Sequence, residues 1–439
     1  MCDTIVALAQ ATASGTTLFA KNSDRDANEA QIVEVFAGRD HAPGTSVKLK
    51  YIEIPQVPRT HNVLLSRPYW MWGAEMGANE HGLVIGNEAI QSCVSPGQEP
   101  GLIGMDMVRL ALERTNSAAR AVTLICELIE THGQSGNCGH PQAAPFYYHN
   151  SFLIADRSSA YVLETIGHEW ICETVTGVRS ISNTLTIGEG YHKKSAGLEV
   201  LAETVGWKPG QRFNFRENFS PKIHNPNASG PQRWRRTSLC LREHEGRLTP
   251  LDMMGILRDR GEAALTNPGW RPDGDMNGTI CAHASFGPAR QFGQTVGSQV
   301  SLLGPSGDKH FVTATAAPDM SIFKPITLNP DRYPTQLAAK PSGVWDPHSL
   351  WWRHEKLHRA VLKDYAARLK PYQLERNRLE EEFIEAASGA SHQRIWNQAE
   401  TALSDWIELV ESIPPVHPGS SAYQEHWRQL AQRAEFPTQ

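Results

Sequence analysis

No stretch of the 439-residue chain is apolar for long enough to span a bilayer. No basic region followed by an apolar run opens it, so a secretory leader is not expected and a cytoplasmic location follows. Neither charge sign dominates: 42 Lys and Arg stand against 47 Asp and Glu, a net charge of −5 with no block of like charge. That balance argues against nucleic acid or a membrane surface as a partner. Seven cysteines are scattered, odd in number and without a C-x-x-C pair, which excludes a disulfide framework and a zinc ribbon and leaves a thiol free for chemistry. No internal repeat is present. The 40% hydrophobic and 20% charged content is that of a soluble globular enzyme, and the length suggests more than one unit.

Strand-like runs arrive in blocks. Residues 2–9 and 16–20 read as a hairpin around the turn 12–15. It ends in Lys21-Asn22-Ser23-Asp24-Arg25, a cluster too polar for a strand interior. A second hairpin covers 72–89, with 78–82 as its turn. Residues 104–113 and 117–132 read as helices, the second with apolar positions at helical spacing. After a polar loop (133–150), strands are expected at 151–155, 160–165, 169–174 and 178–187, helices at 194–205 and 250–259, and strands at 280–283, 296–303 and 309–315. Such blocks predict an α+β fold of layered sheets with helices on their outer faces. A proline-rich stretch, 325–347, separates residues 1–330 from a helical extension over 345–439. Pro371 is expected to kink or break that extension. Its aromatic and leucine positions read as core or dimer contacts, so a homo-oligomer is one expected state.

The chemistry concentrates at the second residue. Removal of Met1 gives Cys2 a free α-amine beside its own thiol, a nucleophile and a general base on one residue. The amine titrates near ~8 and the thiol near ~8.5, so proton transfer between them is nearly balanced at neutral pH. Asp24, at the end of the paired strand, is placed to hold that amine. Lys21 is a candidate substrate-binding cation. Asn87 and Asn183 are candidate oxyanion donors. Arg233, Arg235 and Arg236 form a cationic cluster, from which one inward arginine binds a substrate carboxylate or braces the cysteine. Cys138, His140 and His149 match no tight metal spacing and lack a fourth ligand. His283 after Cys281 reads as a packed strand residue, so no metal is expected.

The run Cys2-Asp3-Thr4-Ile5-Val6-Ala7-Leu8, followed by Leu18-Phe19-Ala20-Lys21-Asn22-Ser23-Asp24-Arg25, resembles the start of secernins, which belong with the C69 dipeptidases among N-terminal nucleophile hydrolases. The likeness continues through Ala78-Asn79-Glu80-His81-Gly82-Leu83, Gly86-Asn87-Glu88-Ala89 and residues 133–140, and into the tail from Trp351-Trp352-Arg353-His354-Glu355 to Leu379-Glu380-Glu381-Glu382-Phe383. More distantly, Phe19–Asp24 and Asn79–Leu83 resemble the bile salt hydrolase and penicillin V acylase family. That resemblance implies catalytic roles for Asp24, for Asn183 as oxyanion donor, and for Arg233, with Arg236 as the other position. It has arginine where this chain has Lys21, and its earlier asparagine falls on Ala89, two residues beyond Asn87. The two resemblances imply a four-layer αββα sandwich. They also imply cleavage of an amide through a Cys2 thioester without a cofactor. A short peptide is the expected substrate, with a small N-acyl compound or a non-hydrolytic, partner-binding role as alternatives.

Overall fold

The computed structural model describes residues 2–222, 229–273, 278–285, 293–387 and 391–437. The chain opens with β1 (Asp3–Ala7), which turns back through Gly15 (φ +64°) into β2 (Thr17–Arg25). Next come β3 (Gln31–Phe36), a small ribbon of β4 (Ser46–Lys48) and β5 (Glu53–Pro55), then β6 (Val63–Pro68), β7 (Met76–Asn79) and β8 (Val84–Ile90). Two helices follow, α1 (Gly104–Arg114) and α2 (Ala118–His132). Ser117 caps α2 by accepting from the Arg120 N–H, and Gly133 at φ +68° ends it. The strands resume as β9 (His149–Ala155), β10 (Ala160–Ile166), β11 (Glu169–Thr174), β12 (Val178–Ser182) and the short β13 (Lys193–Lys194).

A helical stretch comes next: α3 (Leu198–Thr204), α4 (Phe215–Phe219), α5 (Gly230–Glu243), α6 (Pro250–Leu257) and α7 (Glu262–Thr266). A capping box of Thr249 and Asp252 starts α6. Strands β14 (Gln294–Leu303), β15 (Lys309–Val312) and β16 (Lys324–Ile326) complete the body. The tail is four helices, α8 (Leu350–Leu362), α9 (Tyr365–Ala386), α10 (His392–Ser412) and α11 (Ser421–Arg433).

The strands form two large antiparallel sheets, ordered β12-β1-β2-β14-β15-β16 and β13-β11-β10-β9-β8-β7-β6-β3. Strand alternation divides the side chains between layers. Val6 and Phe19 of the first sheet join Leu64, Val84, Ile90 and Leu153 of the second in one core between the sheets. Ile5, Ala7, Leu18, Ala20 and Val300 face the other way, onto Leu241, Met253 and Met254 of α5 and α6. Leu65, Ile85, Phe152 and Ile154 face Met107, Leu110 and Ile125 of α1 and α2. The architecture is therefore the expected αββα sandwich.

The tail packs directly on the body. Trp351 and Trp396 donate from Nε1 to the carbonyls of Val296 (2.9 Å) and Pro325 (2.8 Å). Arg258, the C-cap of α6, forms a two-pronged ion pair with Glu380 of α9, 2.6 Å on each prong. Pro371 does not break the tail: it lies inside α9. The break falls at Asp364, whose carboxylate accepts from the N–H groups of Val416 and His417, both at 2.9 Å. Among the described residues no helix is long and apolar enough to cross a membrane.

Two strand expectations fail. Residues 280–283 form a bend and a loop segment, not a strand. The polar run Lys21–Arg25 is strand interior and is wholly buried, because each side chain finds a partner from another element. Close approach of the sheets here depends on Gly86, where a Cβ would lie 2.5 Å from Lys21 Cδ and 3.0 Å from Thr4 Oγ1. Gly86→Ala should lower stability by about 1–3 kcal/mol through overpacking. Gly255→Ala, in α6 with open space around it, should be neutral or stabilising by up to about 1 kcal/mol. Urea denaturation of the two variants checks the contrast, and equal effects would contradict it.

Candidate active site

Strand β1 runs between β12 and β2, with Asp3 paired to Ser182 on one side and Asn22 on the other. Cys2 sits at the head of this strand and is 6% exposed. Four residues hold it. Its nitrogen donates to Asn183 Oδ1 at 2.6 Å. Its carbonyl accepts from Arg233 Nη1 at 2.9 Å and from Ser182 Oγ at 3.3 Å. Its sulfur accepts from the Asp24 N–H at 3.3 Å. Met1 lies outside the described residues.

Arg233 is fully buried on the inner face of α5. Besides the Cys2 carbonyl, Nη1 donates to Asp3 Oδ2 at 2.5 Å, Nη2 to Asn183 Oδ1 at 2.7 Å, and Nε to Ser229 Oγ at 3.2 Å. The helix comes this close because its first residue is Gly230, where a Cβ would meet the Asn183 carbonyl oxygen at 2.3 Å. The Asn183 carboxamide has one consistent orientation: Oδ1 accepts twice, and Nδ2 donates to the Ala89 carbonyl at 2.7 Å. In this arrangement Asn183 fixes the Cys2 nitrogen through Oδ1, and one of its two Nδ2 N–H groups goes to the Ala89 carbonyl.

Arg236, three residues along α5, is not at the site. It forms a two-pronged pair with Asp259 at 3.0 and 2.6 Å. Asn87 is also elsewhere. Alternation along β8 sends Glu88 between the sheets and Asn87 to the opposite face, where Nδ2 donates to Asn150 Oδ1 at 3.0 Å. The oxyanion role expected of Asn87 is thus not met by its side chain.

Lys21 is buried rather than offered to a substrate. Its ammonium donates to Glu88 Oε1 at 3.0 Å, the Asn87 carbonyl at 2.9 Å and the Asn22 carbonyl at 3.4 Å, which uses its three N–H groups. Burial acts to lower its pKa, but the Cys2 thiol and the Glu88 carboxylate hold it above the ordinary lysine value. Burial pushes the Cys2 thiol up, and the Lys21 charge opposes that rise. The Asp24 carboxylate accepts from Thr295 Oγ1 at 2.6 Å, beside a bulge in β14 between Thr295 and Gly297. The Asp24 N–H and carbonyl both lie on the Cys2 sulfur, at 3.3 and 3.9 Å.

Asp3, Ser182 and Glu88 complete the arrangement and were not singled out from the sequence. Strand alternation was the available signal: it places Asp3 on the α5 side of β1 and Thr4, which donates to Glu88, on the inner side. Two other groups have metal-ligating character among the described residues: the half-exposed His61, Glu80 and His81, and the buried Cys281, His283 and Asp319. Cys138, His140 and His149 do not converge; they bond to the Gly136 carbonyl, Tyr69 and Ser92 respectively.

No family model matches the chain. Among solved structures, the C2A mutant of conjugated bile acid hydrolase from Clostridium perfringens is 14% identical, with a TM-score of 0.42 over 75% of this chain and 98% of that one. Penicillin V acylase from Agrobacterium tumefaciens is 13% identical, with a TM-score of 0.38 over 78% and 90% of the respective chains. The Caenorhabditis elegans ortholog of N-acylethanolamine-hydrolyzing acid amidase is 11% identical, with a TM-score of 0.31 over 68% and 92%.

The two arginines make a direct test. Arg233→Met strands a buried Asp3 and should cost about 3–5 kcal/mol. Arg236→Met breaks a pair at the rim of α5 and should cost roughly 1–2 kcal/mol. Urea denaturation measures both, and equal losses would contradict the assignment.

Proposed function

We propose that the chain is a cysteine amide hydrolase acting on short peptides, dipeptidase-like, with Cys2 as nucleophile after loss of Met1. The observation that carries this reading is the hold on residue 2 from both ends. Asn183 receives its nitrogen at 2.6 Å and Arg233 grips its carbonyl at 2.9 Å, so nitrogen and sulfur stand in one orientation. Such positioning lowers the entropic part of the barrier.

Once Met1 is gone, the Cys2 nitrogen keeps its N–H bond to Asn183 and gains a lone pair. The thiol proton passes to that amine. The sulfur attacks the carbonyl carbon of the scissile amide, and the C–N bond breaks as the leaving amine takes the proton from the Cys2 ammonium. The acyl group remains as a thioester. The Cys2 amine then deprotonates a water, whose oxygen attacks the thioester carbon. The acid leaves, and the sulfur recovers its proton. The Lys21 ammonium and the Asp24 N–H favour the thiolate in the attacking step.

The resemblance of residues 2–25 to secernins and C69 dipeptidases supports a short peptide over an N-acyl compound. Neither Lys21 nor Arg236 is available to grip a substrate carboxylate, since each is spent on an acidic partner.

A panel of dipeptides and N-acyl amides tests the proposal. Wild type should turn over dipeptides with the higher kcat/KM, and Cys2→Ala should reduce turnover to background. Equal activity of Cys2→Ala and wild type, or no turnover of any panel member by wild type, would overturn the reading.

A further inference from the structure

A second cluster of reactive side chains lies outside the Cys2 site. Ala282 pairs with Thr295 through two bonds of 2.9 Å, from the Ala282 N–H to Thr295 Oγ1 and from the Thr295 N–H to the Ala282 carbonyl. Its neighbours Cys281 and His283 reach a common partner, Asp319, from the loop between β15 and β16. Cys281 Sγ is 3.1 Å from Asp319 Oδ1 and 3.7 Å from His283 Nε2, and His283 Nε2 is 3.0 Å from Asp319 Oδ2. All three residues are buried.

The tail helices fix this group from behind. Glu355 accepts from Arg359 Nε at 2.9 Å, from Gln294 Nε2 at 3.0 Å and from His358 Nδ1 at 2.9 Å. His358 is therefore the donor through Nδ1, and its Nε2, 3.1 Å from His283 Nδ1, is the acceptor. His283 in turn donates from Nδ1. That leaves the His283 Nε2 lone pair facing Asp319 Oδ2, an oxygen that already accepts from the Tyr365 hydroxyl. Two lone pairs at 3.0 Å require a cation between them. A proton would join the nitrogen and the oxygen and leave the Cys281 thiol to donate separately to Asp319 Oδ1 at 3.1 Å. A metal ion accounts for the convergence of the sulfur as well. Tetrahedral zinc bonded to sulfur, nitrogen and oxygen sets its ligand atoms about 3.3–3.6 Å apart. The observed separations are 3.7 Å from sulfur to nitrogen, 3.1 Å from sulfur to Asp319 Oδ1 and 3.0 Å from nitrogen to Asp319 Oδ2, so the carboxylate spans the other two ligands. A thiolate and a carboxylate also neutralise a divalent ion, which suits a buried position. The His283–His358–Glu355 relay is the outer shell that a metal-bound imidazole uses.

We propose that Cys281, His283 and Asp319 bind one divalent cation of the zinc class, with His358 and Glu355 orienting His283. Three protein ligands leave the fourth position to a water or to the Tyr365 hydroxyl. The ion ties α8 and α9 to the segment beside Thr295, and so to the residue that bonds Asp24. The proposal stands independently of the hydrolase reading.

Metal analysis of the full chain, purified without chelator, should find about one zinc per chain. Chelator-treated wild type titrated with Co²⁺ should develop a thiolate-to-cobalt charge-transfer band. Cys281→Ala should lack the band. His358→Gln, which leaves all three ligands in place, should weaken metal affinity about 10–100-fold. Wild type that retains no metal and gives no cobalt band would overturn the proposal. So would a thiolate band that survives Cys281→Ala, which would place the ion on another cysteine. If Cys281→Ala does not fold, the wild-type titration and His358→Gln still decide the matter.

Discussion

One buried guanidinium organises the candidate site. Arg233 of α5 bonds the Cys2 carbonyl, the Asp3 carboxylate, Asn183 Oδ1 and Ser229 Oγ. Through these bonds it ties the outer helix to the first strand and to the segment that follows β12. A buried charge of this kind is held only where every donor is matched, since desolvation alone costs several kcal/mol. Asp3 matches its charge, and the Cys2 and Asn183 oxygens match its remaining directions. The position of residue 2 is therefore a consequence of electrostatic satisfaction around Arg233, more than of the apolar packing that holds the rest of β1.

The same logic extends along β2. Its first half, with Leu18, Phe19 and Ala20, is apolar and packs both faces of the sheet. Its second half carries Lys21, Ser23 and Arg25 between the sheets, matched to Glu88, Glu75 and Glu29. A polar layer thus lies between the sheets beside Cys2. Its cost in desolvation is offset by these ion pairs, and in return it sets a fixed local field. The Lys21 charge acts on the thiol against the effect of burial.

Much of this was legible in the chain itself. Alternation of apolar residues marked the hairpin of β1 and β2, the helical spacing marked α1 and α2, and together they pointed to sheets sandwiched by helices. Arg233 and Asn183 were marked as candidates, and the structure brings both onto Cys2. The polar end of β2 was not legible as strand, because its partners Glu75 and Glu88 lie on the other sheet and nothing local announces them. Asn87 was misplaced by a single step of alternation, which turns its side chain away while leaving its carbonyl on Lys21. Arg233 and Arg236, three residues apart on one helix, differ only in which neighbour they meet. The Cys281–His283 cluster was missed because Asp319, His358 and Glu355 join it from distant parts of the chain.

The account turns on whether Cys2 is the first residue of the working protein. Peptide mapping of active material by mass spectrometry, with and without incubation with a dipeptide ester, addresses this most directly. The account predicts an N-terminal peptide beginning at Cys2 with a free amine, and a mass increase of one acyl group on that peptide after incubation. Retention of Met1 in material that turns over substrate, or acylation of another residue, would contradict it.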